Sequence, residues 1–176
     1  MSKLTDVFIS VGSNIDPEEN IIKALDQLKR YVKVIAVSTF YQTKAIDRPN
    51  QSDFINGVFH IRTNISPRKL KFDILRKIEY DLGRIRSDDK YSDRTIDLDI
   101  AIYSDRVINE PDLVIPDKDI RERPFIAIPL LELSPLLILP DTGEKLSSLD
   151  VINAGKDMKP AEELTEVLRR RFRGIF

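Results

Sequence analysis

Apolar positions along this chain change period several times, and each change marks an element. The run VFISV (Val7–Val11) is β-branched and aromatic and stops at Gly12-Ser13-Asn14, so it reads as a strand entering a turn. Asp16 is then placed to cap a helix with Pro17 at its first position and Glu19 completing a capping box, and Ile21, Ala24, Leu25 and Leu28 follow at helical spacing. β-Formers return across Val32–Thr43 and Phe54–Thr63, two runs predicted to pair as strands around a polar loop containing Pro49. Ser66-Pro67 opens a second helix, with Leu70, Ile74, Ile78 and Leu82 on one stripe and Gly83 as its stop. A charged loop, RIRSDDKYSD, leads into RTIDLDIAIY (Arg94–Tyr103), predicted as a strand.

The order β-α-β-β-α-β is that of a ferredoxin-like unit, an α+β sandwich with helices on one face of an antiparallel sheet. The segment from Ser104 onward is proline-rich and ends in a predicted helix over Pro160–Phe172, whose apolar side is Leu164, Leu168 and Phe172. With no linker and no repeat in view, residues 1–176 are predicted to form a single domain, the C-terminal extension packing on the core. The 28 basic residues nearly cancel the 29 acidic ones, so no global field favours nucleic acid or an anionic membrane. There is no cysteine, which removes disulfides, thiolate metal sites and thiol catalysis. The N-terminus lacks a signal-like apolar region and no run approaches the ~20 residues that span a bilayer. A soluble, cytoplasmic monomer is expected.

Two carboxylates, Asp97 and Asp99, interrupt the apolar run near its start. On a strand they project from one face, while Ile96, Leu98 and Ile100 point into the helix layer. Side by side they repel, and a hard divalent cation held through oxygen relieves this; magnesium fits best, since it also takes water and substrate phosphate. Such a pair equally suits the solvated face of an edge strand, and D-x-D spacing alone does not separate the two. Arg84, Arg86, Lys90 and Arg94 lie just upstream. Guanidinium groups beside magnesium suit a polyphosphate and hence phosphoryl transfer, though the same arginines also suit a solvated loop. No P-loop and no dinucleotide fingerprint occurs. On the Phe54–Thr63 strand, Phe54, Asn56, Val58 and His60 share a face. A ring beside an amide can stack a flat heterocycle and read its edge, or can be core packing and a turn residue. His60, the only histidine, is read as structural or exposed.

Taken together, SVGSN (10–14), FYQT (40–43), FINGV (54–58), IEYDLGRIR (78–86), RTIDLDIAIY and ERPFIAIPLLEL (122–133) resemble the 6-hydroxymethyl-7,8-dihydropterin pyrophosphokinases of folate biosynthesis, across roughly Val7–Asp141. The resemblance implies the same ferredoxin-like core and transfer of diphosphate from ATP to the pterin hydroxymethyl group, releasing AMP. It implies Asp97 and Asp99 as ligands of two magnesium ions, and Arg84 and Arg94 as catalytic arginines on a mobile loop. Glu79, Ile100, Lys118 and Arg123 would join those arginines around ATP. Phe54 and Phe125 would sandwich the pterin, with Asn56 and the backbone of Thr43, Ala45 and Ile46 reading its polar edge. Loops 46–53 and 85–93 match segments that close over the substrates.

Three places depart from the family pattern. Asp117, after Pro116, stands where a histidine is usual, a carboxylate that would repel ATP unless a metal or Lys118 compensates. Ser92-Asp93 replaces a Gly-Pro and adds negative charge and flexibility where Arg94 is aimed. Lys44-Ala45 replaces a proline-bearing segment of the pterin pocket. These leave two alternatives: a relative acting on another small alcohol, and a ferredoxin-like module without catalysis.

Overall fold

A computed structural model describes residues 2–174; Met1, Ile175 and Phe176, the ends of the predicted domain, lie outside the described residues. It is a mixed α/β arrangement built on an antiparallel sheet. The strands are β1 (Thr5–Ser13), β2 (Lys33–Val37), β3 (Tyr41–Thr43), β4 (Phe54–Thr63) and β5 (Asp97–Tyr103). β4 is central: it pairs with β1 on one side and with both β2 and β3 on the other, while β5 flanks β1.

Strand alternation divides the sheet into two faces. On one, Val7, Ile9, Val11, Phe59 and Ile61 are buried with Leu98 and Ile100. This core includes residues of helix α1 (Pro17–Leu28) and of the helical stretch 67–81, which runs as α2 (Pro67–Lys69), a π-helical turn Leu70–Leu75, and α3 (Arg76–Asp81). On the other face Phe8, Val58 and Ile102 pack with Ile126, Ala127 and Leu130, three residues of α4 (Pro124–Leu133). A hairpin of β6 (Ile108–Glu110) and β7 (Leu113–Ile115) precedes α4. The last helix, α5 (Glu162–Phe172), returns to the first face, where Leu164 and Leu168 are buried and Arg171 pairs with Asp26 of α1 at 2.5 Å. Both faces are therefore covered, the second by the proline-rich segment.

Three predicted boundaries and one predicted cap change. The run Val32–Thr43 breaks into two strands at Ser38–Phe40 because side chains take over the ladder there. Ser38 Oγ accepts from Val58 N at 2.8 Å, Glu132 accepts from Thr39 N, and Thr165 Oγ1 accepts from Phe40 N at 2.9 Å. Phe40 turns fully inward over Gly57, where a Cβ would lie 2.5 Å from its ring. Asp16 does not cap α1 with its side chain; it sits at φ 40°, and Asn20 Nδ2 donates to the Ile15 carbonyl instead. Glu19 pairs with Lys23 rather than closing a capping box. β5 starts at Asp97, not Arg94, since the Arg94 carbonyl accepts from Asn14 N (3.1 Å) and Ile15 N (3.3 Å). Finally α5 begins at Glu162; Lys159–Pro160 forms a short strand β8 on β3. Ser66 does cap its helix, accepting from Lys69 N, and Gly83 ends the stretch at φ 82°.

Candidate active site

The second face of the sheet is not covered evenly. Beyond Phe8 and Val58, β1 contributes only Ser10 and Gly12 to this face, and the register sets Ser10 against Asp99 and Gly12 against Asp97 on one side and Asn56 on the other. Small residues between two polar strands leave an opening, a cavity of about 410 Å³. Gly12 leaves room there: a Cβ would fall 2.6 Å from Asn56 Oδ1 and displace that amide. Asn56 Nδ2 in turn donates to Thr43 Oγ1 at 2.8 Å, which fixes the amide with its oxygen toward β1. Phe54 and Phe125 supply ring walls, and Tyr91 a third.

The arginine loop is held from below. Glu79, 2% exposed, accepts from Arg76 (2.7 Å), Arg84, Arg86 (2.6 Å) and the Leu98 backbone N–H (3.2 Å). One buried carboxylate thus anchors three guanidiniums. Arg84 reaches on to Asp97 at 2.8 Å and Arg94 meets the same carboxylate at 2.9 Å. Arg94 also donates to the Lys90 carbonyl and lies 5.9 Å from the Phe54 ring centre. The loop is pinned to the turn after β1. Asn14 Nδ2 donates to Asp93 at 2.6 Å, Asn14 Oδ1 accepts from Arg94 N at 2.8 Å, and Ser13 Oγ donates to the Thr95 carbonyl at 2.6 Å. Asp93 is therefore one of the points that fasten the loop to this turn. Arg123 lines the cavity and forms no ion pair among the described residues.

The two aspartates differ sharply. Burial opposes the charge of Asp97, but Arg84 and Arg94 outweigh it and hold its carboxyl below the usual range. Asp99 is pushed up to about 8, first by burial and then by the Asp97 charge, with Arg76 at 3.6 Å giving partial relief. Its side chain keeps 37% of its surface toward the cavity while protein closes around the rest. Asp117 is raised to about 6, by burial and by the charges of Asp119 and Asp97. It caps the short 3-10 helix Lys118–Arg121, accepting from Asp119 N at 2.9 Å, and its own N–H donates to the Ala101 carbonyl.

A second cavity, about 390 Å³, opens beside the first against β7 and shares Asp99, Asp117 and Asp119 with it. Carboxylates thus sit where the cavities meet. Among the described residues no three or more histidine, cysteine or acidic side chains form a group able to hold a metal by itself. The donor set fits magnesium rather than a metal needing a full protein cage: hard carboxylate oxygens on one strand face, with coordination left for water and phosphate. Asp97 and Asp99 would be its ligands.

Comparison with known proteins decides the family. A family model described as 7,8-dihydro-6-hydroxymethylpterin-pyrophosphokinase (HPPK) matches residues 8–135, from β1 through α4. The chain belongs to this family. HPPK relatives include the 2-amino-4-hydroxy-6-hydroxymethyldihydropteridine pyrophosphokinase of Haemophilus influenzae, 37% identical over 77% of this chain and 85% of that protein. The Pseudomonas aeruginosa enzyme of the same name is also 37% identical, over 81% of this chain and 88% of that protein. Among solved structures, a Plasmodium falciparum HPPK-DHPS shares the fold with a TM-score of 0.68 at 15% identity, covering 88% of this chain. This chain spans 45% of that two-part protein.

Within this HPPK fold, the cavity collects most of the residues singled out from sequence. Arg84, Arg94, Asp97, Asp99, Arg123, Thr43, Ile46, Phe54, Asn56 and Phe125 all line it. Four others stand elsewhere. Glu79 is buried beneath the arginines instead of lining a ligand site, because its charge is satisfied by them. Ile100 borders the second cavity, its side chain turned into the helix-side core. Lys118 is exposed on the 3-10 helix and lines neither cavity, so it does not offset Asp117; Lys71, on the wall of the second cavity, lowers the Asp117 pKa instead. Ala45 lies in the loop without reaching the cavity wall. Sequence reasoning passed over Gln51, Tyr91 and Asp119, whose loops carry no periodicity. His60 is structural: it stacks on Phe8 at 4.5 Å and bonds Asp6 at 2.7 Å.

Proposed function

We propose that this chain transfers diphosphate from ATP to the hydroxymethyl group of 6-hydroxymethyl-7,8-dihydropterin, a pyrophosphokinase step of folate biosynthesis. Family membership supports the reaction class, and one observation carries the assignment of parts. The aromatic and amide wall and the arginine-carboxylate wall share one cavity, which meets a second cavity at Asp99. The pterin fits between Phe54 and Phe125 with its edge on Asn56 and Thr43. The nucleoside fits the second cavity, so that the triphosphate crosses Asp97 and Asp99. We also read residues 2–174 as one ferredoxin-like domain, on the element order and on the antiparallel strand order β5-β1-β4-β3.

In the reaction the hydroxymethyl oxygen attacks the β-phosphorus of ATP. That O–P bond forms as the bond from the β-phosphorus to the oxygen bridging the α-phosphate breaks, AMP leaves with that oxygen, and the hydroxyl proton is released. Two magnesium ions, held on Asp97 and Asp99, would supply charge neutralisation and polarise the phosphoryl oxygens. The chain's own residues do the positioning. Arg84 and Arg94, paired with Asp97 here, are within reach of a phosphate laid on that carboxylate, and the rigid Glu79 hub fixes Arg84 for the exchange. Arg123, without an ion pair, offers a further guanidinium to phosphate. The ring walls hold the acceptor alcohol in line and exclude water.

The test is AMP release on mixing protein, ATP, magnesium and the reduced hydroxymethylpterin. AMP should depend on the pterin and disappear in the Asp97→Ala/Asp99→Ala double variant. Equal AMP in that variant, or none in the wild type, overturns the assignment.

A further inference from the structure

Gln51 enters the cavity wall from loop 46–53 with only half of its amide engaged. Its Nε2 donates to the Tyr91 carbonyl at 2.8 Å, across to the arginine loop, while its Oε1 is buried and receives no hydrogen bond among the described residues. The backbone presents this side chain firmly. Gln51 N donates to the Arg48 carbonyl at 3.0 Å, and Asn14 Nδ2 approaches the Ser52 carbonyl at 3.4 Å. Turning the amide over does not cure the defect, because it would set one acceptor oxygen against another at Tyr91. Among the described residues Thr95 Oγ1 is the other buried polar side-chain atom in this condition, and it does not line the cavity.

A buried amide oxygen without a donor is unfavourable, and in the wall of a binding cavity a donor-bearing ligand removes the penalty. The aromatic walls beside it select a flat ring, and the Asn56 oxygen is a second acceptor on the cavity floor. We propose that Gln51 is a recognition residue for the heterocyclic substrate: its Oε1 accepts from an N–H or O–H of the bound ring, while its Nε2 ties the arginine loop at Tyr91 over that ring. Ring recognition and placement of Arg94, three residues beyond Tyr91, are thereby joined in one amide. This rests on the reading of the cavity as the pterin site.

The test uses the full chain with magnesium and a non-hydrolysable ATP analogue, titrated calorimetrically with the reduced hydroxymethylpterin, alongside steady-state kinetics. Gln51→Met, close in volume and unable to hydrogen-bond, should weaken pterin binding and raise its KM about tenfold or more while the KM for ATP stays within about twofold. Its melting temperature in the absence of ligand should change little, since the unsatisfied acceptor is removed together with the Nε2 bond to Tyr91. Gln51→Glu keeps an acceptor oxygen and loses the donor to Tyr91. It should hold pterin affinity within about threefold of wild type and lose kcat instead. Tight binding by Gln51→Met, or Gln51→Glu binding as poorly as Gln51→Met, overturns the inference. A wild-type protein that does not bind the pterin overturns the site assignment itself, and that arm is read before any variant.

Discussion

Asp97 and Asp99 leave the same face of β5 two residues apart, yet their carboxyls are driven in opposite directions. Burial works against both charges; at Asp97 two arginines outweigh it, whereas at Asp99 the neighbouring charge adds to it and lifts the pKa to about 8. The pair holds one charge comfortably and the second only with help. Under the proposed function, a cation bound between them would supply that help.

The consequence for pH can be signed. Asp99 has its folded pKa raised from 3.8 to about 8, so the folded state keeps a proton that the unfolded chain has released. Its contribution is fully present below about pH 4 and is lost as pH rises toward 8; Asp117, raised to about 6, acts in the same sense over a narrower window. Without magnesium, Asp99→Asn should therefore melt higher than wild type at pH 8 and show a smaller difference at pH 5. Magnesium with nucleotide should bind wild type more tightly at pH 8 than at pH 6, because the proton must leave first. Thermal melts with and without magnesium at these pH values check both; a lower melting temperature for Asp99→Asn at pH 8 would contradict a raised Asp99 pKa.

Glu79 holds Arg76, Arg84 and Arg86 from a nearly inaccessible position. Glu79→Gln leaves three guanidiniums around a neutral amide and should cost about 3–5 kcal/mol of stability, as removal of one member of a buried charge network does. Urea unfolding measures it. A loss under about 1 kcal/mol would mean that the hub is solvated and that Arg84 is not fixed through it.

Asn14 should act on turnover through Arg94. Its amide engages both Asp93 and the Arg94 backbone, so Asn14→Ala releases the loop from the β1 turn. A charge-assisted bond of this kind is worth about 1.5–3 kcal/mol, which predicts a fall in kcat of about tenfold or more with little change in the KM of the pterin. Stopped-flow single turnovers would separate this loss from slowed product release.

How far the site could be read in advance follows from periodicity. Strand period alone placed Asp97 and Asp99 together, and put Phe54 and Asn56 on one face with Val58 and His60. The break at Ser38–Phe40 had no such signal, because Ser38 Oγ, Glu132 and Thr165 Oγ1 replace ladder partners from distant elements. Gln51 and Tyr91 meet only across two loops, and Glu79 sits on a helix stripe whose neighbours are charged loops. Pairings of that kind are set by tertiary contact, which a single chain does not display.

Gly12 offers a narrower probe of the pterin wall. In Gly12→Ala the new methyl group would lie 2.6 Å from Asn56 Oδ1 and must displace that amide. The KM for the pterin should rise about tenfold while that for ATP is preserved, since Asp97 and the arginines are untouched. Steady-state kinetics with each substrate varied in turn distinguishes this from a general loss of folding, which would lower kcat for both.

In the proposed reaction a diphosphate, not a single phosphoryl group, passes to the pterin alcohol across Asp97 and Asp99. Phosphorus-31 NMR of the complete reaction tests it most directly. AMP and a pterin diphosphate ester should accumulate one to one, with both absent in the Asp97→Ala/Asp99→Ala variant; ADP with a pterin monophosphate would contradict diphosphate transfer.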